Sequence, residues 1–268
     1  MEQEHHQNRT SLRKDKLSLR ALLCVIGLSL FLGFSSCSVR QEIYMAEDGA
    51  GTTSVDLELS PMLVRYLDDL IHFTGEDPTA TELFDIEEMY RVFSDIPELE
   101  LLQADSSKRS RLSTIVGFVE INKVFLEQVG ADVEEAARLE QEGDVRTLFL
   151  YLDRENYRQI VGRVLRLSSL DDYSTYMSGL LEPDSREIIL EIYRYAFEEY
   201  AKEKSVQQVL EQSEVVFDVY INGRIVHRTG GTVIEGKNGF DTGVRYAIPL
   251  LDILTLEEPI RYSLSFRE

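Results

Sequence analysis

The sequence has no tryptophan, two cysteines, four histidines and six prolines in 268 residues. Two cysteines cannot build the disulfide-dense scaffold of small secreted domains. Few prolines beside 43% hydrophobic residues exclude collagen-like and low-complexity classes and argue against disorder. Positive charge is the scarcer sign: 28 Lys and Arg stand against 48 Asp and Glu, a formal net charge of -20. That balance argues against nucleic acid, whose phosphates require a basic footprint. It argues equally against holding anionic headgroups by overall charge.

What basic charge there is gathers at the start. Residues 1–20 carry Arg9, Arg13, Lys14, Lys16 and Arg20, and the uncharged run ALLCVIGLSLFLGF follows from Ala21 to Phe34. A basic segment, an apolar segment and then small residues follow the plan of a secretory signal peptide. Its end, Phe34-Ser35-Ser36-Cys37, resembles the lipobox of bacterial lipoproteins, with Phe34 in place of the usual Leu, as in the looser spirochaete lipoboxes. The resemblance covers residues 1–37 and implies cleavage before Cys37, which would carry a diacylglycerol on its sulfur. Two acyl chains hold a protein at a membrane where one is marginal. Two expectations compete: a plain signal peptide in which Cys37 is incidental, and an uncleaved span, since residues 21–39 form a 19-residue uncharged run. Gly27, Ser29, Gly33, Ser35 and Ser36 in that run favour cleavage. The same resemblance implies the outer membrane, since Ser38 stands after Cys37 where an Asp retains such lipoproteins at the inner membrane.

Residues 1–36 hold five basic and three acidic side chains, so residues 37–268 carry 23 and 45 and a net charge of -22. Only His72 and His227 remain there, and no thiol other than Cys37. The inventory offers neither thiol chemistry nor a His-rich metal site, and no cofactor is expected.

Along the chain, Val39–Ala46 and Thr52–Leu59 read as a hairpin across Asp48-Gly49. Ser60-Pro61 reads as a helix start, and Asp85 with Glu88 as a second. Glu98–Ala104 and Arg111–Ile121 read as a further hairpin, residues 132–143 as an acidic, weakly amphipathic stretch, and Arg146–Leu152 as a strand. Apolar stripes at i, i+3, i+4, i+7 spacing predict helices through Tyr157–Leu165, Tyr173–Leu181 and Ile189–Tyr200. Val215–Ile221 and Arg224–Arg228 flank Asn222-Gly223, a type I′ hairpin signal. Gly230-Gly231 predicts another turn, and Thr232–Ile234, Val244–Ile248 and Pro259–Phe266 further strands. The expected fold class is α+β, with β-hairpins at both ends of the mature chain around a helical middle section. Residues 1–36 form the signal peptide and residues 37–268 one extracytoplasmic domain, helix-rich over 153–204 and β-rich over 213–268.

Candidate sites are sparse. Phe240-Asp241-Thr242-Gly243 contains the aspartic-protease triplet once, whereas that chemistry needs two; it reads as a turn. Asp48-Gly49-Ala50-Gly51-Thr52 lacks the Lys and helix of a phosphate loop. Glu134, Glu135, Glu140, Glu142 and Asp144 lack the spacing of a calcium loop. Arg224 and Arg228 share a strand face by alternation, with His227 on the other, and form the candidate anion site. Tyr173, Tyr176 and Tyr193, with Tyr195 and Tyr200, are candidates to line a ligand groove. The expected function is a lipid-anchored envelope protein with a non-enzymatic binding or assembly role, its partners the membrane and an envelope protein or small ligand. A carboxylate-dependent envelope hydrolase and a plain structural lipoprotein are the alternatives.

Overall fold

In the computed structural model the described residues are 38–122, 136–159 and 182–267, apart from positions 47, 74, 76, 95 and 203. In chain order they form β1 (Ser38–Met45), β2 (Gly51–Glu58), α1 (Pro61–Phe73), α2 (Ile86–Ser94), β3 (Leu99–Asp105) and β4 (Arg111–Phe118). There follow β5 (Ala137–Glu142), β6 (Val145–Leu152), α3 (Arg186–Phe197), α4 (Val206–Gln212), β7 (Glu214–Ile221) and β8 (Arg224–Thr229). Last come β9 (Thr232–Glu235), β10 (Thr242–Pro249), α5 (Leu250–Thr255) and β11 (Ile260–Arg267).

The strands make a seven-stranded sheet in the order β3-β4-β2-β1-β7-β10-β9 and a four-stranded sheet in the order β5-β6-β11-β8. This overturns the expected α+β plan with hairpins around a helical middle: the fold is mostly β. Four strands, β3 to β6, lie in the middle of the chain, and the helices are spread between strands. The acidic stretch near residue 140 is strand β5, paired with β6 from Ala137↔Leu150 to Glu142↔Val145. Its solvent-facing acids had hidden its alternation. The stripes through 160–181 lie outside the described residues; residues 154–159 and α3 are helical.

β1 joins the two halves of the larger sheet. It is antiparallel to β2 and parallel to β7, with Val39 opposite Val215 and Met45 opposite Ile221. A parallel pair needs a crossover connection, and here the crossover contains most of the domain.

One face of this sheet is buried. Its side chains divide between two apolar clusters. At the end where β1 begins, Val39, Leu57, Leu112, Val215 and Ile248 pack with Ile189, Tyr193 and Phe197 of α3 and with residues of α1, α4 and α5. At the other end, Ile43, Met45, Val55, Val219 and Val244 pack with Leu148, Leu264 and Phe266 of the smaller sheet and with Val92 and Phe93 of α2. Each fully buried apolar side chain contributes about 1.5–3 kcal/mol, against about 0–1 kcal/mol for an exposed ion pair, so these clusters hold the fold.

Local signals explain several boundaries. The Ser60 hydroxyl accepts from the Leu63 amide at 3.1 Å, and Asp85 accepts from the Glu88 amide at 2.8 Å. α4, which the sequence reading does not include, starts at a reciprocal capping box of Ser205 and Gln208. α5 occupies the span whose sequence presents itself as a connection between strands.

The Asn222-Gly223 hairpin is not formed. β7 pairs with β1 and β10, whereas β8 pairs with β11 in the other sheet. Gly223 has φ +95° but Asn222 is not among the positive-φ residues, so a type I′ turn is excluded. The chain crosses between sheets there and crosses back at Gly230-Gly231. Gly230 and Gly231 have φ +72° and +64° and lie against the neighbouring rings of Tyr262 and Tyr246. A Cβ on Gly231 would stand 2.7 Å from Tyr246 Cε1 and from Val244 Cγ1. Gly143 has φ +62°, and a Cβ there would meet nothing among the described residues within 4 Å.

Gly143→Ala therefore carries only the left-handed backbone cost of about 1–2 kcal/mol, while Gly231→Ala adds a steric clash. Urea denaturation is expected to show Gly231→Ala lowering stability by at least about 1 kcal/mol more than Gly143→Ala.

Candidate functional site

The second face of the seven-stranded sheet carries the even-numbered residues of β1 and β7. Arg40, Glu42 and Tyr44 project from β1, Val216, Asp218 and Tyr220 from β7, and Arg245 from β10. Glu42 is in register with Asp218, and Arg245 with Asp218. Two carboxylates on adjacent strands would repel. Three cations resolve this.

Asp218, with its side chain 0% exposed, lies between two guanidinium groups. Arg245 binds it in a fork: Nε donates to Oδ1 at 2.7 Å and Nη2 to Oδ2 at 2.7 Å. Arg40 Nη2 donates to Oδ2 at 2.8 Å and stands 3.2 Å from Glu42 Oε1. Lys237, from the β9–β10 connection, donates from Nζ to both Glu42 oxygens at 2.8 Å, and the Tyr44 hydroxyl donates to Oε2 at 2.7 Å. The Tyr44 ring stacks on Tyr220 at 4.9 Å and 10°, and Phe240 of the same connection tilts against it at 5.5 Å. The connection thus folds over one end of the cluster.

The electrostatics follow from these contacts. Burial pushes the Asp218 carboxyl up, but the hydrogen bonds and charges of Arg245 and Arg40 outweigh it and hold the group below the ordinary aspartate range. Hydrogen bonds to Asp218 raise both arginines, and the bond to Glu42 raises Lys237. Burial, then the bond to Glu42, pushes the Tyr44 phenol up to about 12. The acid oxygens are therefore occupied, while Arg40, Arg245 and Lys237 keep 47%, 41% and 47% of their side chains exposed.

The residues singled out in sequence lie elsewhere. Tyr173 and Tyr176 fall outside the described residues. Tyr193 is fully buried in the core against Phe197, at 5.8 Å, so its ring packs inside rather than lining a surface groove. Arg224 and Arg228 do not share a face: register shifts between Phe266↔Ile225 and Ser265↔His227, so Val226 is an extra residue and the alternation inverts. Arg228 Nη1 donates to the carbonyls of Gly230 and Gly231, bracing the corner between sheets. Asp241 accepts from the Gly223 amide at 2.8 Å and so ties two loops together. Asp48 closes its own turn by accepting from the Ala50 amide. Of the acids weighed for calcium, Glu134 and Glu135 fall outside the described residues, Glu140 pairs with Arg138 and Asp144 with Arg267.

The sheet-face cluster leaves one signal in the sequence. Asp218 stands inside the apolar strand EVVFDVYI. A carboxylate in a run that otherwise reads as buried demands charged partners. A second feature, a surface hollow of about 360 Å³ between α3 and α4, is lined by Arg194, Glu198, Lys202, Lys204 and Gln207. Its charged side chains are exposed.

Because the Asp218 carboxyl lies low in the folded protein, its contribution to stability is present above the ordinary aspartate value and is lost as pH falls through the folded one. Below about pH 4 wild type is expected to lose stability more steeply than Asp218→Asn. At neutral pH Asp218→Asn frees two guanidinium groups that can turn to water, whereas Arg245→Met leaves a buried carboxylate with one partner. Chemical denaturation is expected to show Arg245→Met the costlier, by about 3 kcal/mol against about 1 kcal/mol. A buried hydroxyl supplies an independent check. Tyr157 is 0% exposed and its hydroxyl has no hydrogen-bond partner among the described residues, so Tyr157→Phe is expected to raise stability by about 1 kcal/mol.

No protein family and no curated protein matches this chain. Among solved structures it is similar to the folded domain of LppM from Mycobacterium tuberculosis, determined by NMR. The two share 10% identity and a TM-score of 0.38, over 87% of this chain and 91% of that one.

Proposed function

We propose that this chain is a lipid-anchored bacterial cell-envelope protein whose folded domain is a non-enzymatic binding module. The anchor reading rests on the basic segment, the apolar run and the lipobox-like Phe34-Ser35-Ser36-Cys37. No helix among the described residues is long and apolar enough to cross a membrane.

The observation that carries the reading is how near to Cys37 the sheet starts. Ser38, the residue after Cys37, is already the first residue of β1. No tether separates the attachment residue from the sheet. β1 rises about 3.3 Å per residue, so Arg40 stands about 7 Å from Ser38 along the strand and Tyr44 about 20 Å. An acylated Cys37 would hold the rim of the sheet at the membrane with the charged face standing up from it. The exposed face supports binding rather than acid–base chemistry, since the converging carboxylates Glu42 and Asp218 are each tied to cations. Ser38 after the attachment residue favours the outer membrane.

Metabolic labelling with a palmitate analogue in a bacterial host tests this. Wild type is expected to be labelled, shortened and membrane-bound, and Cys37→Ser to accumulate as an unlabelled precursor. Two unlabelled, full-length, membrane-bound proteins would instead mean an uncleaved transmembrane anchor.

A further inference from the structure

We propose that Arg40 and Arg245 form an oxyanion site at the centre of the exposed sheet face, taking a phosphate group presented close to the membrane. The inference deepens the binding reading above and rests on it.

The argument starts from Asp218. A fully buried carboxylate on β7 holds a guanidinium on each flanking strand, β1 and β10. Two strand spacings separate those two backbones by about 9.6 Å. Each arginine spends only part of its donor set inward. Arg245 commits Nε and Nη2 to Asp218, and Arg40 commits Nη2 to Asp218 and Glu42. Arg245 Nη1, and Arg40 Nε and Nη1, have no partner among the described residues, and both side chains are more than two-fifths exposed. Guanidinium groups fixed by one edge and open at the other are pre-organised for a tetrahedral oxyanion, because the ordering entropy is already spent in folding.

The local charge agrees. Arg40, Arg245 and Lys237 outnumber Asp218 and Glu42 by one, and the carboxylate oxygens point into the cluster rather than out. The walls differ in character. Val216 and Ala247 lie beside the arginines toward the start of β1, and the Tyr44–Tyr220 stack with Phe240 closes the other side. A phosphate could come from a lipid headgroup or from a soluble phosphorylated ligand, and Arg40 lies near enough to Cys37 for either.

The test uses the full-chain lipidated protein and reads its melting temperature. One arm adds inorganic pyrophosphate to protein in neutral detergent, against sodium chloride at matched ionic strength. The other compares nanodiscs of phosphatidylglycerol with nanodiscs of phosphatidylcholine. Stabilisation is expected in at least one arm: in the first it identifies a soluble phosphate ligand, in the second a headgroup. Arg40→Gln leaves the Arg245 fork on Asp218 intact, and is expected to weaken the apparent affinity about tenfold. Arg111→Gln, which removes a cation of the same face paired with Asp56, is expected to leave it unchanged. No stabilisation in either arm, or equal losses in the two variants, overturns the proposal. Labelled Cys37 with no phosphate response would remove only the oxyanion site. A phosphate response with unlabelled Cys37 would remove only the anchor.

Discussion

The parallel pairing of β1 with β7 is the contact on which the rest of the structure depends. β1 is the fourth of seven strands, bonded to β2 on one side and to β7 on the other. Without it the sheet separates into β3-β4-β2 and β7-β10-β9, and the apolar rows that continue across it are cut in two. The same register brings Glu42 against Asp218. The pairing that closes the fold thereby creates the like-charge contact that Arg40, Arg245 and Lys237 must neutralise. Stability and surface chemistry meet at one strand pair.

The two apolar clusters place the helices and the smaller sheet on one face and leave the other to polar side chains. Their boundary runs across β1, where Val39 belongs to one cluster and Ile43 to the other. Gln41 sits between them and donates to the Thr53 hydroxyl at 2.9 Å. A buried amide in that position must be hydrogen-bonded, which favours one register of β1 against β2 over its neighbours. Both crossings between sheets, near Gly223 and at Gly230-Gly231, lie at the cluster that the smaller sheet covers. Gly231 lies against Tyr246, and Tyr246 belongs to that cluster.

Local features of this fold were legible in the sequence. The β1–β2 hairpin, the helix starts at Ser60 and Asp85, and the strands β4, β6, β7, β10 and β11 all follow from alternation, caps and turn residues. Non-local choices were not. Asn222-Gly223 has the composition of a tight hairpin, but β7 finds β1 and β10 as partners and leaves β8 to the other sheet. Arg224 and Arg228 alternate onto one face in an ideal strand, and one extra residue at Val226 separates them. Asp218 announced a need for partners, yet nothing local identifies Arg40, 178 positions earlier, as one of them. A site assembled across strands so far apart in sequence is visible only once the pairing is known.

The overall acidity of the domain bears on how such a site would work. At physiological ionic strength charges are screened over about 8 Å. A net charge of -22 on residues 37–268 therefore slows the approach of anions. It decides little once an oxyanion touches the two guanidinium groups, where short charge-assisted hydrogen bonds dominate. Poor steering with adequate contact energy suits a ligand that need not be captured from dilute solution. The proposed tether would supply that condition, because confinement beside the ligand would replace diffusion with an effective concentration in the millimolar range. An anchor at Cys37, one residue before the strand that carries Arg40, and an oxyanion site on a strongly acidic domain are thus physically consistent with one another.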